Sequence, residues 1–285
     1  MKTFCALTLA VFACGALRGR AAPLTAREVV EQIQKNVGVQ WRSETVDKFK
    51  AGNPDTPVTG IATTFVASLD VLRRAAASGK NLIVTHEPTF YNHLDNTSEV
   101  EGDAVYAAKR DFIEKHGLVV FRFHDHWHMR RPDGIMQGMI EALGWEKFRS
   151  PQGQNRFVLP SITVERLASD IKARLKIRTP RLVGDPRLKV TKVEFSPGAS
   201  GSVSHIKALE RDDVEVLLAG EGNEWQTAEY VRDAAAAGKP KAVILLGHVV
   251  SEEAGMEYCA RWLKTFLPAV PVEFIPAGEP FQVVK

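Results

Sequence analysis

The residues best suited to chemistry in this 285-residue chain are histidines and carboxylates gathered at the ends of apolar runs. Five of the eight histidines, His86, His124, His126, His128 and His248, fall at or just after three such runs. Glu87 follows His86 directly, and Glu252 lies four positions beyond His248. Ligands of α/β folds collect at the carboxyl ends of strands, so three histidine-bearing strand ends read as one site. Neutral imidazole combined with carboxylate suits a divalent ion such as zinc, iron or manganese. With a helix opening near Ser251, Glu252 sits in its first turn and can share an ion with His248. Glu87 either points to a different ion from His86 or supports the site from the second layer. His124, His126 and His128 alternate, so in an extended segment they share one face while Asp125 faces away. Glu221 and Glu224 flank a strand-to-helix turn, where they either face the centre as acid or base or are simply solvated. Gly198-Ala-Ser-Gly201 before a helix reads as a turn, with anion binding on its N–H groups as the alternative. Trp127, set among the histidines, can cover the pocket or stack on a planar substrate. His93, His116 and His205 lack such a setting and read as surface or capping residues.

The elements that must position these side chains alternate between helix and strand. Thr25-Ala-Arg-Glu28 is a capping-box pattern opening a helix to about Asn36. A loop containing Gly52-Asn-Pro54 leads into a β-branched strand, Val58 to Val66. A helix from Ser68 stops at Gly79, and Asn81 to Thr85 is a short buried strand that delivers His86. A helix from Gly102 to His116 precedes the strand Leu118 to Phe123, which delivers His124. A third helix runs from about Pro132 to Gly144. Beyond it, Phe157–Pro160, Val190–Phe195, Val214–Ala219, Ala242–Leu246 and Pro271–Ile275 read as strands. Thr163–Leu175, a segment from Val203, Trp225–Ala237 and Ser251–Phe266 read as helices.

One order occurs twice. Arg73-Arg-Ala-Ala-Ala-Ser-Gly79 is followed by an apolar strand and His86, and Arg232-Asp-Ala-Ala-Ala-Ala-Gly238 by an apolar strand and His248. The expected fold class is therefore α/β, with two similar halves facing each other around a central cleft. The halves span about 24–145 and 185–285, joined by an α/β segment over about 146–184. No Gly-, Ser- or Pro-rich linker divides them.

With 37 basic and 34 acidic residues the net charge is only +3, too balanced to point to nucleic acid, and no basic run is present. Lys2, the apolar run Phe4 to Leu17 and the Arg18-Gly-Arg20 stretch make a signal peptide over residues 1–22 and an exported protein. Cleavage falls near Ala16 or near Ala21/Ala22. Lipid attachment at Cys14 and a buried N-terminal helix are the alternatives. The run is too short to span a bilayer comfortably. Cys259 is then the only cysteine certain to remain, which excludes an internal disulfide and a thiolate zinc site, and its apolar helical setting reads as core.

Thr85-His86-Glu87-Pro88, His124 to His128 and Gly247-His248-Val-Val-Ser251-Glu252 resemble the Nif-three-like family, often described as GTP cyclohydrolase I type 2. The similarity extends to Phe157–Pro160, the Gly198–Gly201 loop and Gly220-Glu221. It implies a dinuclear metal centre between two like halves, two divalent ions per chain and a toroidal hexamer. It assigns His86, Glu87, His128, His248 and Glu252 to the metals, and His124 either to a further ligand or to proton transfer. The family motif at the first strand is normally His-His-Pro, and its third element is normally His-x-x-x-Asp. Here Glu87 replaces the second His and His128 occupies the Asp position, an exchange that keeps the count of each ligand type. The resemblance also places an Asp near Val66, a polar group this chain lacks.

The function expected is an exported metal-dependent hydrolase acting on an unknown small molecule, with His124, Asp125 or Glu221 moving protons. The alternative is a non-catalytic oligomeric protein that binds metal or serves as a scaffold.

Overall fold

The computed structural model describes residues 22–284, so the expected leader lies, but for its last residue, outside the described residues. Helix α1 (Ala26–Asn36) opens on the predicted capping box: the Glu28 N–H donates to the Thr25 hydroxyl, and the Thr25 N–H donates to the Glu28 carboxylate at 2.7 Å. Then follow β1 (Phe49–Ala51), β2 (Ile61–Thr64), α2 (Leu69–Ala77), β3 (Leu82–Thr85), α3 (Ala104–Lys115), β4 (Val119–Arg122), α4 (Asp125–Met129) and α5 (Gly134–Leu143). The later part holds β5 (Arg156–Thr163), α6 (Val164–Leu175), β6 (Arg181–Val183), β7 (Lys189–Ser196), α7 (Ser202–Leu209) and β8 (Val216–Ala219). It ends with α8 (Glu229–Ala236), β9 (Ala242–Leu245), α9 (His248–Lys264) and β10 (Val272–Phe274).

Two five-stranded sheets result, with orders β1-β4-β3-β2-β10 and β5-β7-β8-β9-β6. Strands β2, β3, β4, β8 and β9 are buried at every position, which explains why their sequences are apolar or β-branched throughout but for Arg122 at the end of β4. The internal similarity corresponds to two equivalent units, β2-α2-β3 and β8-α8-β9, each with its two strands parallel. In both, the helix runs out into a glycine with positive φ: Gly79 at 72° and Gly238 at 74°. The fold is thus α/β with two like halves meeting at a cleft.

Four features depart from the sequence expectation. The loop before Gly52 contains β1, which pairs antiparallel with β4 through Phe49 and Phe121. The segment between the halves holds the expected strand over Phe157–Pro160, extended as β5, and also an unexpected β6, and these two form the antiparallel edges of the second sheet. Three residues are too few to show a period, so β6 left no legible pattern. Strand β10 returns to the first sheet and lies parallel to β2, with Val272 opposite Ile61. Helix α9 begins at His248 rather than near Ser251.

Helices α5 and α9 bring the halves together by backbone approach. A Cβ on Gly138 would lie 2.3 Å from the Ala254 carbonyl oxygen, and one on Gly255 would lie 2.4 Å from Ile135 Cα. Only glycine permits such contact at either position. One core then runs through both halves, from Ile61, Leu82 and Phe121 to Val193, Leu218 and Ile244. Cys259 lies within that core, fully buried, and burial pushes its thiol pKa upward, away from reactivity. Among the described residues no helix is long and apolar enough to cross a membrane.

Candidate metal centre

Each histidine of the cluster is set by a strand end. Strand β3 stops at Thr85 and places His86, wholly buried, with its Nδ1 3.2 Å from the Phe123 carbonyl oxygen. A carbonyl accepts only, so Nδ1 carries a proton there and Nε2 is the nitrogen turned towards the cluster. Strand β9 ends before Gly247, and His248 opens α9 with Glu252 one turn later on the same face. His248 Nδ1 lies 3.0 Å from Glu221 Oε1, His128 Nδ1 lies 2.9 Å from Asp133 Oδ2, and His124 Nδ1 lies 2.9 Å from Asp125 Oδ1. All four imidazoles therefore spend Nδ1 on an outer partner and turn Nε2 inward, as metal-binding histidines do.

These nitrogens converge with two carboxylates. Glu252 Oε2 stands 3.4 Å from His86 Nε2 and 3.2 Å from His248 Nε2. Glu87 Oε1 stands 3.4 Å from His248 Nε2 and 3.6 Å from His124 Nε2. The rings of His86, His124 and His128 lie 4.6–5.0 Å apart, centre to centre. Two overlapping sets, His86–His124–His128 and His86–Glu87–Glu252, each offer three ligand atoms within 4.8 Å of one another. His86 Nε2 and Glu252 Oε2 are buried without a hydrogen-bond partner. A lone pair facing a carboxylate oxygen in the interior is unfavourable unless a cation or proton stands between them. The donor set, imidazole and carboxylate without thiolate, fits a divalent ion.

Protonation follows the same charges. Burial opposes the cationic form of His248, yet the Glu252 and Glu87 carboxylates hold its pKa up to about 10. Burial would raise Glu87, but hydrogen bonding with His248 and the charge of the surrounding imidazoles bring it down to about 2. Glu252 is likewise depressed by His248 and His86, against its burial. His124 moves the other way: burial and the neighbouring His86 and His128 lower it to about 4. In the metal-free protein a proton on His248 thus serves as the counter-charge that the two carboxylates require.

Several expectations need correction. Residues 125–129 are helical, so the alternation of His124, His126 and His128 does not put them on one face. The His128 N–H donates to the His124 carbonyl at 3.1 Å, which aligns these two one turn apart. His126 turns into the core, stacked on Trp41 at 3.7 Å and held by Asp47 at 2.6 Å. Trp127 does not cover the pocket; it is buried against Phe123 and Trp262 and donates to the Gly255 carbonyl. His205 is not on the surface: it is buried between the hydroxyls of Ser200 and Thr227. His93 lines the cavity beside the centre, whereas His116 caps α3 as expected. Glu221 reaches His248, while Glu224 is exposed and outside the cavity lining.

The Gly198 loop does not hold an anion on its first N–H, which donates to Ser251 Oγ at 2.9 Å. Its role is space: a Cβ on Gly198 would lie 2.2 Å from Glu252 Oε1 and 3.2 Å from His248 Nε2. Two functional residues had no legible signal. Asp47 accepts the N–H groups of His124, Asp125 and His126 and so anchors α4. Arg122, fully buried, donates to the carbonyls of His86 and His93 and to Glu87 Oε2 at 3.3 Å. Both are distant in sequence from what they hold, and neither stands in a motif.

A two-halved α/β fold with imidazoles and carboxylates converging from the strand ends of both sheets defines a candidate divalent-metal protein. The chain belongs to the Duf34/NIF3 (NGG1p interacting factor 3) family, whose model matches residues 24–280. Solved structures share the fold at low identity. Staphylococcus aureus protein SA1388 is 16% identical over 92% of this chain and 100% of its own, with a TM-score of 0.72. A Bacillus cereus protein related to NIF3 is 15% identical over 93% and 100%, also with a TM-score of 0.72. Reduced HcgD from Methanocaldococcus jannaschii is 15% identical over 88% and 97%, with a TM-score of 0.66. No functionally curated protein matches the chain.

Proposed function

We propose that the chain binds two divalent ions, zinc, iron or manganese, and acts as a metal-dependent hydrolase on a small molecule. The observation that carries this reading is the orphaned pair His86 Nε2 and Glu252 Oε2, buried 3.4 Å apart amid further inward-facing imidazoles. His86, Glu87, His128, His248 and Glu252 would hold the ions, with Glu87 and Glu252 between neighbouring imidazoles. When bound, such ions supply Lewis acidity and lower the pKa of water. His124 Nε2 faces Glu87 and offers a further ligand. Glu221, exposed at the rim and hydrogen-bonded to His248 Nδ1, is placed to pass a proton between the site and solvent. Export through the N-terminal leader and assembly into a hexamer belong to the same proposal, the second supported by family membership.

Elemental analysis of purified protein is the test. About two divalent ions per chain, lost together in His86→Ala, support the reading; metal-free protein that takes up no zinc, iron or manganese on titration sinks it. If metal binds but a broad screen of phosphoesters, amides and cyclic amidines shows no turnover, the hydrolase part falls and the metal part stands.

A further inference from the structure

A cavity of about 760 Å³ is lined by Glu87 and His248 of the candidate metal centre together with aromatic and cationic side chains. Its lining carries the aromatic side chains of Tyr91 and Phe281 and the cations Lys109 and Arg181, while Phe65 lies beside His248. Glu279, a carboxylate of the same lining, is already committed to Arg178 and to the N–H groups of Arg178 and Thr179.

Lys109 is the informative residue. It is only 3% exposed, a rare state for lysine. Its ammonium donates to the Thr89 carbonyl and stands 5.1 Å from the centre of the Tyr91 ring, and both of those residues line the cavity. Asp95 is the acid whose field reaches Lys109, but its carboxylate pairs with Lys50 at 3.3 Å and lies 3.9 Å from Arg122. Among the described residues, then, Lys109 has no ion-pair partner. An ammonium carries three donors, and a buried charge left without a counter-charge is unfavourable. Burial lowers the Lys109 pKa to about 8, which still leaves it mostly charged at neutral pH. A cavity of this size, with aromatic walls and a few polar groups, is of the kind that holds a small organic ligand.

We propose that this cavity is the subsite for a small planar organic anion, whose phosphate or carboxylate is received by Lys109, with Arg181 as a second cation of the same lining. Its ring lies against the aromatic walls, and its other end faces Glu87 and His248. The inference names the substrate class of the proposed hydrolase and rests on that reading only for what happens at the metal end. Lys109 supplies the missing ion pair, and Tyr91 and Phe281 supply the apolar surface that a ring would cover.

The test is calorimetric titration of phenyl phosphate, benzoate and neutral benzyl alcohol into chelator-treated and zinc-loaded protein. Phenyl phosphate or benzoate should bind the chelator-treated protein at least tenfold more tightly than benzyl alcohol, and the stronger of the two identifies the anion. Lys109→Met should lose that preference at least tenfold, Lys109→Arg should restore it, and both should take up as much zinc as the unmodified chain. Arg181→Met, at an exposed position, is the second variant should Lys109→Met fail to fold, and should weaken the anion severalfold. Equal binding of anion and alcohol, binding indifferent to these substitutions, or anion binding that requires zinc would overturn the proposal. Absence of zinc uptake together with Lys109-dependent anion binding would instead sink the metal reading and leave this one standing.

Discussion

Replacing Gly198 by alanine should damage the centre out of proportion to the size of a methyl group. Gly198 has φ of 66°, in the left-handed region, so any Cβ there costs about 1 kcal/mol on backbone grounds alone. The methyl would also lie 2.2 Å from Glu252 Oε1 and 3.0 Å from Glu252 Cδ. Ordinary contact distances require Glu252 or the loop to move by about 1 Å, and such overpacking costs about 1–3 kcal/mol more. The loop resists that movement. Its Gly198 N–H is tied to Ser251, and a Cβ on Gly220 would already lie 2.4 Å from the Gly198 carbonyl oxygen. Gly238→Ala is the matched control: φ is 74°, yet nothing lies within 4 Å of its Cβ. Denaturant unfolding should show a loss of about 2–4 kcal/mol for Gly198→Ala against about 1 kcal/mol for Gly238→Ala. A zinc competition titration should show affinity down about 10–100-fold for Gly198→Ala, the range for a disturbed ligand support, and unchanged for Gly238→Ala. If the two variants match in both assays, Glu252 is not pinned where the geometry puts it.

Arg122→Met leaves Glu87 and the carbonyls of His86 and His93 without their donor, and should cost about 3–5 kcal/mol in denaturant unfolding; a loss under 1 kcal/mol would mean that Arg122 does not hold the site together. Asp47→Ala removes the acceptor of three N–H groups and the partner of His126, and should lower stability by about 2–4 kcal/mol while reducing zinc occupancy through α4. Unchanged occupancy in a folded Asp47→Ala protein would separate α4 placement from metal binding. At neutral pH metal uptake should release at least one proton per chain, because the metal-free His248 has its pKa raised to about 10. Calorimetry in buffers of differing ionisation enthalpy reads that number, and no release would refute the protonated His248. For stability the sign follows from the raised value: the His248 contribution to the metal-free fold is complete below pH about 6.5 and lost as pH rises through about 10. Urea midpoints of metal-free protein between pH 6 and 10.5 should fall less in His248→Gln than in the unmodified chain.

The strand ends that carry His86, His124 and His248 were legible because fully buried parallel strands write themselves as largely apolar runs, and glycines mark where the preceding helices stop. The twofold Ala-rich helix, Gly, strand, His order was legible for the same reason. The geometry around His124 was not. A five-residue helix beginning directly after a strand has no room for a 3.6-residue pattern, so alternation looked extended, and His126 was placed with the site instead of with Asp47. Arg122 reads as an interruption in an apolar strand, and nothing local says that its guanidinium spans from Glu87 to His93. Lys109 reads as an ordinary helix-face lysine; only the packing of α3 under the loop holding Thr89 and Tyr91 buries it. The crossing of β10 into the first sheet was equally hidden, since a strand's sequence does not name its partner.

That crossing has a consequence for the chain as it is being made. The ligands arrive in two instalments: His86, Glu87, His124 and His128 early, His248 and Glu252 near the end, with the first sheet still lacking its last strand until Phe274. About 170 residues separate His86 from Glu252, which at roughly 5–20 residues per second is about 8–34 s of synthesis. During that interval the histidine-rich part of the cluster lacks the carboxylate of Glu252 and the imidazole of His248. In the proposed metal centre, therefore, the full ligand set would be complete only when α9 closes over the early ligands, after nearly the whole chain has been made.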